Sequence, residues 1–566
     1  MNMRRNLEQL SNQVFDVLVV GGGIHGAAAA WDAALRGLSV CLVERGDFGS
    51  ATSQNSLKVI HGGLRYLQDG NFMRIRMMAR ERTIWMRIAP HLVHPLPCIT
   101  PTYPKLTRSR QAMGLALKIN DLLSYDRNDL SETDKFIPGG KIVSKEECAR
   151  LLPGLDVGGL TGAAIWWDAQ MFNSERLLLE FVLSAAQAGA AVANYTEVTG
   201  FLHQSGVVAG AQVRDGLSGQ EYPIHSKVIL NCAGAWIDKL LEKLGEPAVR
   251  PLFTPSIALN LIVPQVWANY AVGLRSQPAH HKKTGQRNRH SQMFFVVPWR
   301  DKSIIGTWHI PWPHSPDTFQ VTEALIQEFI NEVNTAHSGL GLSLEDIQHV
   351  HWGFLPLERA DSRGERVYLQ REGAVIDHQS NDGLAGLISV VGVKYTTSRA
   401  IAGQAIDLAV KKLGLQGIPC QTQSKPVHGG QIERFQDYLS QAKAQTPGGL
   451  DPEIVEHLVY TYGSEYKRLL NYVSEQPVLG ERVDPNLPVI QAEVIHGVKQ
   501  EMAQTLCDVI QRRTELGAGG LPSRATLQSC AELMARELGW TPARQSMEIE
   551  TLIQVYPFKQ PERINS

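Results

Sequence analysis

The sequence predicts an α/β protein with a dinucleotide-binding unit at its N-terminus, further strands in its middle and a helical C-terminal domain. Three observations carry this prediction. The first 50 residues show a strand, a glycine turn, a helix and a second strand. Short strands recur between residues 190 and 310, and a mainly helical pattern runs from about residue 425. A chain of 566 residues has room for roughly three or four domains.

The N-terminal stretch FDVLVVGGGIHGAAAAWDAALRGLSVCLVERGD contains the elements of a βαβ unit. Phe15–Val20 is an apolar run typical of a buried parallel strand, and Leu38–Val43 is a second such run. Between them Ala27–Arg36 is alanine-rich, which favours a helix, and Gly37 can end that helix.

Three glycines with G-x-G-x-x-G spacing join the first strand to the helix. Gly21 allows the tight turn, Gly23 lets the backbone approach a pyrophosphate, and Gly26 allows close packing of helix and strand. Glu44 ends the second strand, where it can accept hydrogen bonds from ribose hydroxyls. The full pattern predicts dinucleotide binding rather than an ordinary glycine-rich turn. Its N-terminal position and the Gly/Ser/Thr-rich segment 46–58 favour FAD over NAD.

Further elements follow along the chain. They are helices over 72–88 and 174–187, strands over 190–213, a hairpin over 293–309, and a strand, glycine turn and helix over 386–410. The stretch SKVILNCAGAW (226–236) predicts a buried strand that ends in small residues. Such an ending suits a ligand crevice at the carboxyl edge of a parallel sheet.

Composition and charge exclude several classes of function. A net charge of -1 gives no electrostatic case for binding nucleic acid. The seven cysteines are scattered without a C-x-x-C pair, which argues against a disulfide framework and a zinc site and fits a reducing compartment. The N-terminus lacks the apolar segment of a signal peptide, and no window approaches the ~20 apolar residues of a membrane span. We therefore expect a cytoplasmic protein without a metal site.

Two basic stretches allow two interpretations each. Residues 277–292, QPAHHKKTGQRNRHSQ, form either a solvated loop or a loop that guides anions. Residues 104–123 mix Lys and Arg with apolar residues in a helical order. That helix packs on its own domain or lies on a membrane surface.

The stretch KVIHGGLRYL, residues 58–67, is neither a clean helix nor a clean strand. Around two adjacent glycines it places four groups that can meet an anion or a polar ring: Lys58, His61, Arg65 and Tyr66. This combination, so soon after a nucleotide-binding turn, indicates a ligand site rather than a surface loop.

With these residues in view, the chain resembles the FAD-dependent glycerol-3-phosphate dehydrogenases, within the D-amino-acid oxidase-like flavoproteins. The resemblance covers most of the chain. Its elements are GGGIHGA, ATSQNSLKVIHGGLRYL, WWDAQMFNSERL (166–177), NCAGAW, GVKYTTSR (392–399) and the helical stretch AEVIHGVKQEMAQTLCDVIQRRTELG (492–517). HGGLRYL and GVKYTTSR are more specific than the glycine motif.

The resemblance implies an FAD-binding Rossmann-like domain interleaved with a mainly antiparallel β substrate domain, plus a helical C-terminal domain. The expected FAD-binding domain is discontinuous and comprises residues 14–100, 170–245 and 385–415. The substrate domain is expected over 101–169 and 246–384, and the helical domain over 425–566.

The resemblance also implies a reaction, the oxidation of sn-glycerol 3-phosphate to dihydroxyacetone phosphate. A hydride from C2 goes to flavin N5, a base takes the hydroxyl proton, and the electrons pass to a quinone. The implied location is the cytoplasm, with peripheral contact to the inner face of the cell membrane. A homodimer is left open.

The resemblance assigns roles to individual residues. Lys394, Arg371 and His61 are the expected catalytic residues, with His61 or a water as the base, because an arginine stays protonated. Arg65 and Tyr66, together with Arg371 and Lys394, are expected to bind the substrate. The expected cofactor-binding residues are Gly21, Gly23, Ile24, His25, Gly26, Glu44, Arg45, Thr52, Ser53, Ser56, Lys58, His61, Gly62, Gly63, Ala233, Gly234, Lys394, Tyr395 and Thr396.

Two departures from the family pattern affect the substrate. Where the family has Gly-x-Arg-Pro-Leu, this chain has Gly353-Phe354-Leu355-Pro356-Leu357. Leu355 therefore replaces the arginine that, by the resemblance, binds the substrate phosphate. Where the family places Asp after Gly-Thr, this chain has GTWH (306–309). One alternative is that another cation binds the phosphate, either Arg65, Arg359, Arg363 or the basic stretch 277–292. The others are a different hydroxy or amino substrate, or a flavoprotein that has lost turnover and only binds.

Overall fold

The computed structural model of the protein describes residues 3, 5–104, 108–245, 249–275, 293–360, 367–417, 419–447 and 449–556. The basic stretch 277–292 lies outside the described residues, as do residues 105–107 of the second basic stretch. The described strands are β1 (Val14–Val20), β2 (Val40–Val43), β3 (Val59–Ile60), β4 (Val93–Thr102), β5 (Lys141–Ser144), β6 (Gly162–Met171), β7 (Ala191–Ala193), β8 (Thr196–Gln204), β9 (Val207–Asp215), β10 (Glu221–Asn231), β11 (Pro255–Pro264), β12 (Ala271–Arg275), β13 (Met293–Trp299), β14 (Lys302–Pro311), β15 (His349–Ala360), β16 (Val367–Leu369), β17 (Ala374–Asp377) and β18 (Leu387–Val391).

The described helices are α1 (Leu7–Ser11), α2 (Ile24–Leu35), α3 (Phe72–Ile88), α4 (Arg110–Leu123), α5 (Lys145–Leu151), α6 (Ser174–Gln187), α7 (Ile237–Glu242), α8 (Glu323–Ala336), α9 (His378–Asp382), α10 (Ser398–Lys412), α11 (Phe435–Ala444), α12 (Pro452–Tyr462), α13 (Tyr466–Glu475), α14 (Gln491–Glu501), α15 (Leu506–Asp508), α16 (Arg524–Leu538) and α17 (Pro542–Val555). None of these helices combines the length and the apolar character that a membrane span requires.

The smaller sheet contains the N-terminal βαβ unit. Its strand order is β17-β18-β10-β1-β2-β7, and the neighbours from β18 to β7 run parallel. β17 joins antiparallel to β18, and β8 and β9 form an antiparallel extension beside β10. The carboxyl ends of β1, β10 and β18 therefore meet at one edge, where sheets of this kind bind ligands.

Helices α2, α6 and α10 pack around this sheet through small and aromatic side chains. Trp31 of α2 meets Phe181 of α6 edge to face, with 5.0 Å between the ring centroids, and Trp85 of α3 lies 5.1 Å from Phe181. α2 begins earlier than the predicted Ala27, because the extended Gly23 is its N-cap residue.

The larger sheet is mainly antiparallel, with the order β16-β15-β11-β14-β13-β12-β4-β6-β3 and with β5 paired to β6. One face is covered by a core in which Phe294 and Trp308 contact Phe329 of α8. The other face meets the 46–58 segment: a Cβ on Gly353 would lie 2.8 Å from the Thr52 side chain.

The domain ranges expected from the resemblance differ from the strand pairing at two places. β3 and β4 pair in the larger sheet, although they fall wholly or mostly within 14–100. β17 falls within 246–384 but pairs in the smaller sheet. An alternating pattern of apolar and polar residues predicts that a segment is a strand. Which sheet the strand joins depends on its pairing with residues distant in the sequence.

The C-terminal helices α11 to α17 have their own apolar core, which includes Leu458, Tyr462, Leu506 and Leu552. This confirms the predicted helical C-terminal region. Between α15 and α16 a π-helical turn, Val509–Arg513, brings two arginines to Asp47 beside the nucleotide-binding turn.

Candidate active site

The glycine turn leaves one side of the backbone open. Gly21 has a φ of 105°, and a Cβ there would lie 2.6 Å from the carbonyl oxygen of Cys232. A Cβ on Gly26 would lie 1.9 Å from the carbonyl oxygen of Gly21. By contrast, a Cβ on Gly23 would meet only Ser53 Oγ, at 3.3 Å. Gly21 and Gly26 therefore serve the fold, while Gly23 leaves space for a ligand at the start of α2.

Glu44 and Ser53 hold the loops that surround this space. Glu44 accepts hydrogen bonds from the backbone N–H of Gly22 at 2.6 Å and of Gly46 at 2.8 Å, and burial raises the pKa of its carboxyl group. A carboxylate has about four acceptor positions, so lone pairs remain for ribose hydroxyls. Ser53 Oγ accepts from the N–H of Ile24 at 3.1 Å.

His25 and Arg45 lie on either side of the same turn. His25 is half-buried against Gly392, its buried Nε2 has no hydrogen-bond partner among the described residues, and burial lowers its pKa to about 4. The exposed Arg45 stacks over Trp236, with 4.8 Å from its guanidinium carbon to the ring centroid. Ala233 and Gly234 follow β10, and Gly234 has a φ of 57°.

In the 46–58 segment, the side chains expected to bind the cofactor form hydrogen bonds with other parts of the protein. Thr52 Oγ1 accepts from the N–H of Phe354 at 2.9 Å, and Ser56 Oγ accepts from the N–H of Lys58 at 3.1 Å. Lys58 Nζ is fully buried and donates to Glu175 Oε2 at 2.6 Å and to Ser174 Oγ at 3.0 Å. The ammonium group of Lys58 therefore belongs to a buried ion pair, and only its backbone is available for the expected cofactor contact.

Gly62 and Gly63 are required by packing within the protein. A Cβ on Gly62 would lie 2.2 Å from a guanidinium nitrogen of Arg82 and 3.2 Å from Asp168 Oδ1. Gly63 has a φ of 91°, and its Cβ would lie 3.1 Å from Cα of Ile75 in α3. Both glycines are expected cofactor-binding residues, and close packing against α3 and β6 is a second reason for glycine at these positions.

His61 is oriented by Asp168, a residue of β6 that the sequence analysis did not assign. His61 Nδ1 lies 3.0 Å from Asp168 Oδ2, and the N–H of Gly62 donates to Asp168 Oδ1 at 2.7 Å. Burial disfavours the charged carboxylate, but His61 and Arg82 hold the pKa of Asp168 below its ordinary value. An ionised carboxylate only accepts hydrogen bonds, so Nδ1 carries the proton and the lone pair lies on Nε2.

Lys394 and Tyr66 form the centre of a cationic cluster. Lys394 Nζ donates to Tyr66 Oη and, at 3.1 Å, to the carbonyl oxygen of Arg371. Arg74 of α3, which the sequence analysis also missed, lies with its guanidinium carbon 4.7 Å from the centroid of the Tyr66 ring. Burial, followed by the charges of Arg74, Arg65 and Arg371, lowers the pKa of Lys394 to about 7.

The turn between β18 and α10 connects this cluster to His61. Thr396 Oγ1 accepts from the N–H of His61 at 3.1 Å, and the Thr396 carbonyl oxygen accepts from Trp85 Nε1 at 2.9 Å. Tyr395 Oη donates to the carbonyl oxygen of Ser174 at 2.9 Å. These bonds bring the HGGLRYL and GVKYTTSR elements together although they are more than 300 residues apart in sequence.

The chain matches known protein families over most of its length. Residues 16–404 match the family described as FAD dependent oxidoreductase, and residues 420–545 match the C-terminal domain of alpha-glycerophosphate oxidase. Glycerol-3-phosphate dehydrogenase of Synechocystis sp. is 31% identical over 556 residues, which are 96% of this chain and 97% of that protein. The mitochondrial glycerol-3-phosphate dehydrogenase of Mus musculus is 32% identical, over 95% of this chain and 72% of that protein.

A solved structure has the same fold. The glycerol-3-phosphate dehydrogenase from Bacillus halodurans, complexed with FAD, matches with a TM-score of 0.75 and 24% identity over 98% of both chains. Together, fold and nucleotide-binding turn define an FAD-dependent oxidoreductase. More specifically, the chain belongs to the family of glycerol-3-phosphate dehydrogenases.

Proposed function

We propose that this protein uses bound FAD to oxidise sn-glycerol 3-phosphate to dihydroxyacetone phosphate and passes the electrons to a quinone. The observation that carries the proposal is the position of a base beside a cluster of cations. His61 and Asp168 form the base, while Lys394, Arg65, Arg74 and Arg371 supply positive charge. Oxidation of an alcohol that bears a phosphate needs both a proton acceptor and cations.

The nucleotide is held by residues around the glycine turn. The open side of Gly23, the start of α2 and the free lone pairs of Glu44 fit a pyrophosphate and a ribose. The buried, unpartnered Nε2 of His25 is a further polar group available to a cofactor among the described residues. FAD, when bound, supplies the acceptor for the C2 hydride.

His61 takes the proton of the substrate hydroxyl at Nε2. The His61 side chain is 37% exposed, while its Nδ1 is held by Asp168. As the proton leaves, His61 becomes a cation and Asp168 stabilises it. The C2–H bond breaks with its electron pair, and the C2–O bond gains the double bond of the ketone.

Lys394 and its neighbours orient and stabilise the anionic substrate. The amine of Lys394 is fixed by Tyr66 and by the Arg371 carbonyl oxygen, so it needs little rearrangement when an anion binds. An arginine cannot act as a base, and Arg371, ion-paired to Asp69 at 2.8 Å, therefore orients and polarises.

The proposed contact with the membrane uses the exposed stripe of α4 and the N-terminus of α3. Leu115 and Leu122 of α4 and Met73 of α3 are 62%, 74% and 81% exposed, and the exposed Lys118 lies in the same stripe as the two leucines. Large apolar groups with interspersed basic groups suit the surface of an anionic bilayer. Helix α3 also packs beside the substrate cluster, because its buried residues Ile75 and Met78 share a small core with Tyr66.

A vesicle experiment tests the membrane contact. The variant Leu115→Glu/Leu122→Glu is expected to float poorly with vesicles that contain anionic lipid, while Val478→Glu, at a residue that is 50% exposed on another surface, floats as the wild type does. Equal flotation of all three proteins contradicts this contact. A change of oligomeric state in the double variant alone would identify the stripe as a dimer interface instead.

Steady-state turnover tests the reaction itself. Purified protein with glycerol 3-phosphate and a short-chain quinone should form one dihydroxyacetone phosphate per quinone reduced, without NAD(P). Flavin reduction without quinone reduction would contradict only the proposed electron acceptor and would leave the oxidation of glycerol 3-phosphate standing.

Leu355 favours a second candidate, the oxidation of another hydroxy or amino compound. An aliphatic side chain cannot replace a guanidinium–phosphate contact. Faster flavin reduction by a non-phosphorylated alcohol or amine than by glycerol 3-phosphate would support this candidate.

A further inference from the structure

We propose that Arg275, together with Arg65, binds the phosphate group of the substrate in place of the arginine that is missing at Leu355. The inference rests on the proposed function and specifies its phosphate site. Arg275 is the last residue of β12 and was not among the candidates that the sequence suggested.

Strand register places Arg275 on the face of the larger sheet that bears the site. Gly273 pairs with Phe295, and a Cβ on Gly273 would lie 3.6 Å from the Phe295 ring. The Phe295 ring centroid is 6.1 Å from that of His61. Side chains alternate along a strand, so Arg275 shares the face of Gly273, while Leu274 belongs to the core on the opposite face.

Among the described residues, Arg275 has no ion-pair partner of the kind that a partly buried guanidinium needs. Its Nε is buried and has no hydrogen bond to any of the described residues. Burial, and then the positive charges of Arg108 and Arg65, lower its pKa, and no carboxylate acts in the opposite direction. The adjoining stretches 276–292 and 105–107 contain no Asp or Glu in their sequence. Such a group is costly to bury unless an anion joins it.

Arg65 connects Arg275 to the catalytic residues. It is exposed, follows the glycine pair of HGGLRYL directly after Leu64, and forms no ion pair within the part of the chain that the structure describes. Its charge also lowers the pKa of Lys394 and contributes, after burial, to lowering that of His309 to about 4. Two guanidinium groups without carboxylates, next to the proposed base, suit a phosphate dianion.

Three other described arginines near the site already have partners. Arg371 pairs with Asp69, Arg74 pairs with Glu372, and Arg359 stacks on Tyr368 at 4.5 Å. Arg363 and the basic stretch 277–292 lie outside the described residues. Arg275 and Arg65 therefore remain the best supported pair.

The test compares Arg275→Gln and Arg275→Lys with the wild-type holoenzyme. Arg275→Gln is expected to raise KM for glycerol 3-phosphate about 10- to 100-fold, as loss of a charged hydrogen-bonding partner does, with a smaller change in kcat. The inhibition constant of inorganic phosphate should rise in parallel. Arg275→Lys should lie between the two, and Arg214→Gln, an exposed arginine paired to Glu197, should match the wild type.

Adding Leu355→Arg to Arg275→Gln should lower KM again, because it restores a guanidinium elsewhere on the same sheet. Unchanged KM and unchanged inhibition by phosphate in Arg275→Gln would overturn the inference while wild-type turnover leaves the proposed function standing. A wild-type flavin that glycerol 3-phosphate fails to reduce would overturn both.

Discussion

At the scale of single residues, the proposed chemistry depends on which nitrogen of His61 carries a proton. Asp168 is buried, ionised and 3.0 Å from Nδ1, so it selects the form with the free lone pair on Nε2. The same carboxylate accepts from the N–H of Gly62, which fixes the loop that carries His61. Asp168 therefore determines both the orientation and the tautomer of His61.

Asp168→Asn should lower kcat roughly 10²- to 10⁴-fold, the usual contribution of a positioned base. If the amide oxygen still accepts from Gly62, the NH2 group faces His61 Nδ1 as a donor. The substitution therefore disfavours the tautomer with a proton on Nδ1 and removes the charge that stabilises the His61 cation. Stopped-flow flavin reduction measures the effect, with FAD content and KM as controls for folding. Reduction at the wild-type rate would exclude His61–Asp168 as the base.

Lys394 should make substrate capture sensitive to pH. Its pKa of about 7 means that the free enzyme holds this charge below pH 7 and loses it as pH rises. We therefore expect kcat/KM for glycerol 3-phosphate to fall above pH 7. The fall should be absent in Lys394→Arg, which stays charged. Ionisation of the substrate phosphate works in the opposite direction, because its pKa near 6 completes the dianion as pH rises. The same alkaline fall in both proteins would assign it to another group.

At the scale of elements, different glycines of the nucleotide-binding turn serve packing and ligand binding. A side chain at position 26 would meet the backbone, whereas one at position 23 would meet only the side-chain oxygen of Ser53.

Gly26→Ala should therefore destabilise the folded protein by about 1–3 kcal/mol, the usual cost of overpacking. Gly23→Ala should fold normally but bind FAD more weakly, because its methyl group occupies the approach of the pyrophosphate. Unfolding in urea and titration with FAD measure the two effects, and Gly200→Ala, whose Cβ would meet nothing within 4 Å, is the control. Normal FAD affinity in Gly23→Ala would contradict the assigned role of this turn.

Local pattern was enough to predict several elements. The helices over 72–88 and 174–187 coincide with α3 and α6, and the 293–309 hairpin is formed by β13 and β14. Asp168 and Arg275 could not be assigned from sequence, because their roles come from strand pairing with residues distant in the chain. The buried ion pair of Lys58 with Glu175 was missed for the same reason. Glu175 is distant in the sequence, and without knowledge of this partner Lys58 was expected to contact the cofactor.

At the scale of the whole molecule, the C-terminal domain forms hydrogen bonds and ion pairs with the 46–58 segment beside the nucleotide-binding turn. Asp47 is buried and accepts from Arg512 Nε at 2.5 Å and from Arg513 at 2.6 and 2.8 Å. Arg512 also donates to Gln54 at 3.1 Å. Although burial favours the neutral acid, the two arginines hold the pKa of Asp47 well below its ordinary value.

Arg513→Met should lower the free energy of unfolding by about 3 kcal/mol, because it removes one partner of a buried charge. FAD affinity should fall with it, since Asp47 and Gln54 lie in the 46–58 segment. Denaturant unfolding and FAD titration measure both, with Arg524→Met, an exposed arginine paired to Glu550, as the control. Unchanged FAD affinity in a destabilised Arg513→Met would limit the C-terminal domain to a structural role.

The most direct test of the whole account is anaerobic reduction of the bound flavin. FAD-loaded protein, mixed with glycerol 3-phosphate in the absence of NAD(P), should lose its yellow colour with one dihydroxyacetone phosphate formed per flavin. Flavin that stays oxidised under these conditions, in protein that is folded and fully loaded, would contradict the proposed activity.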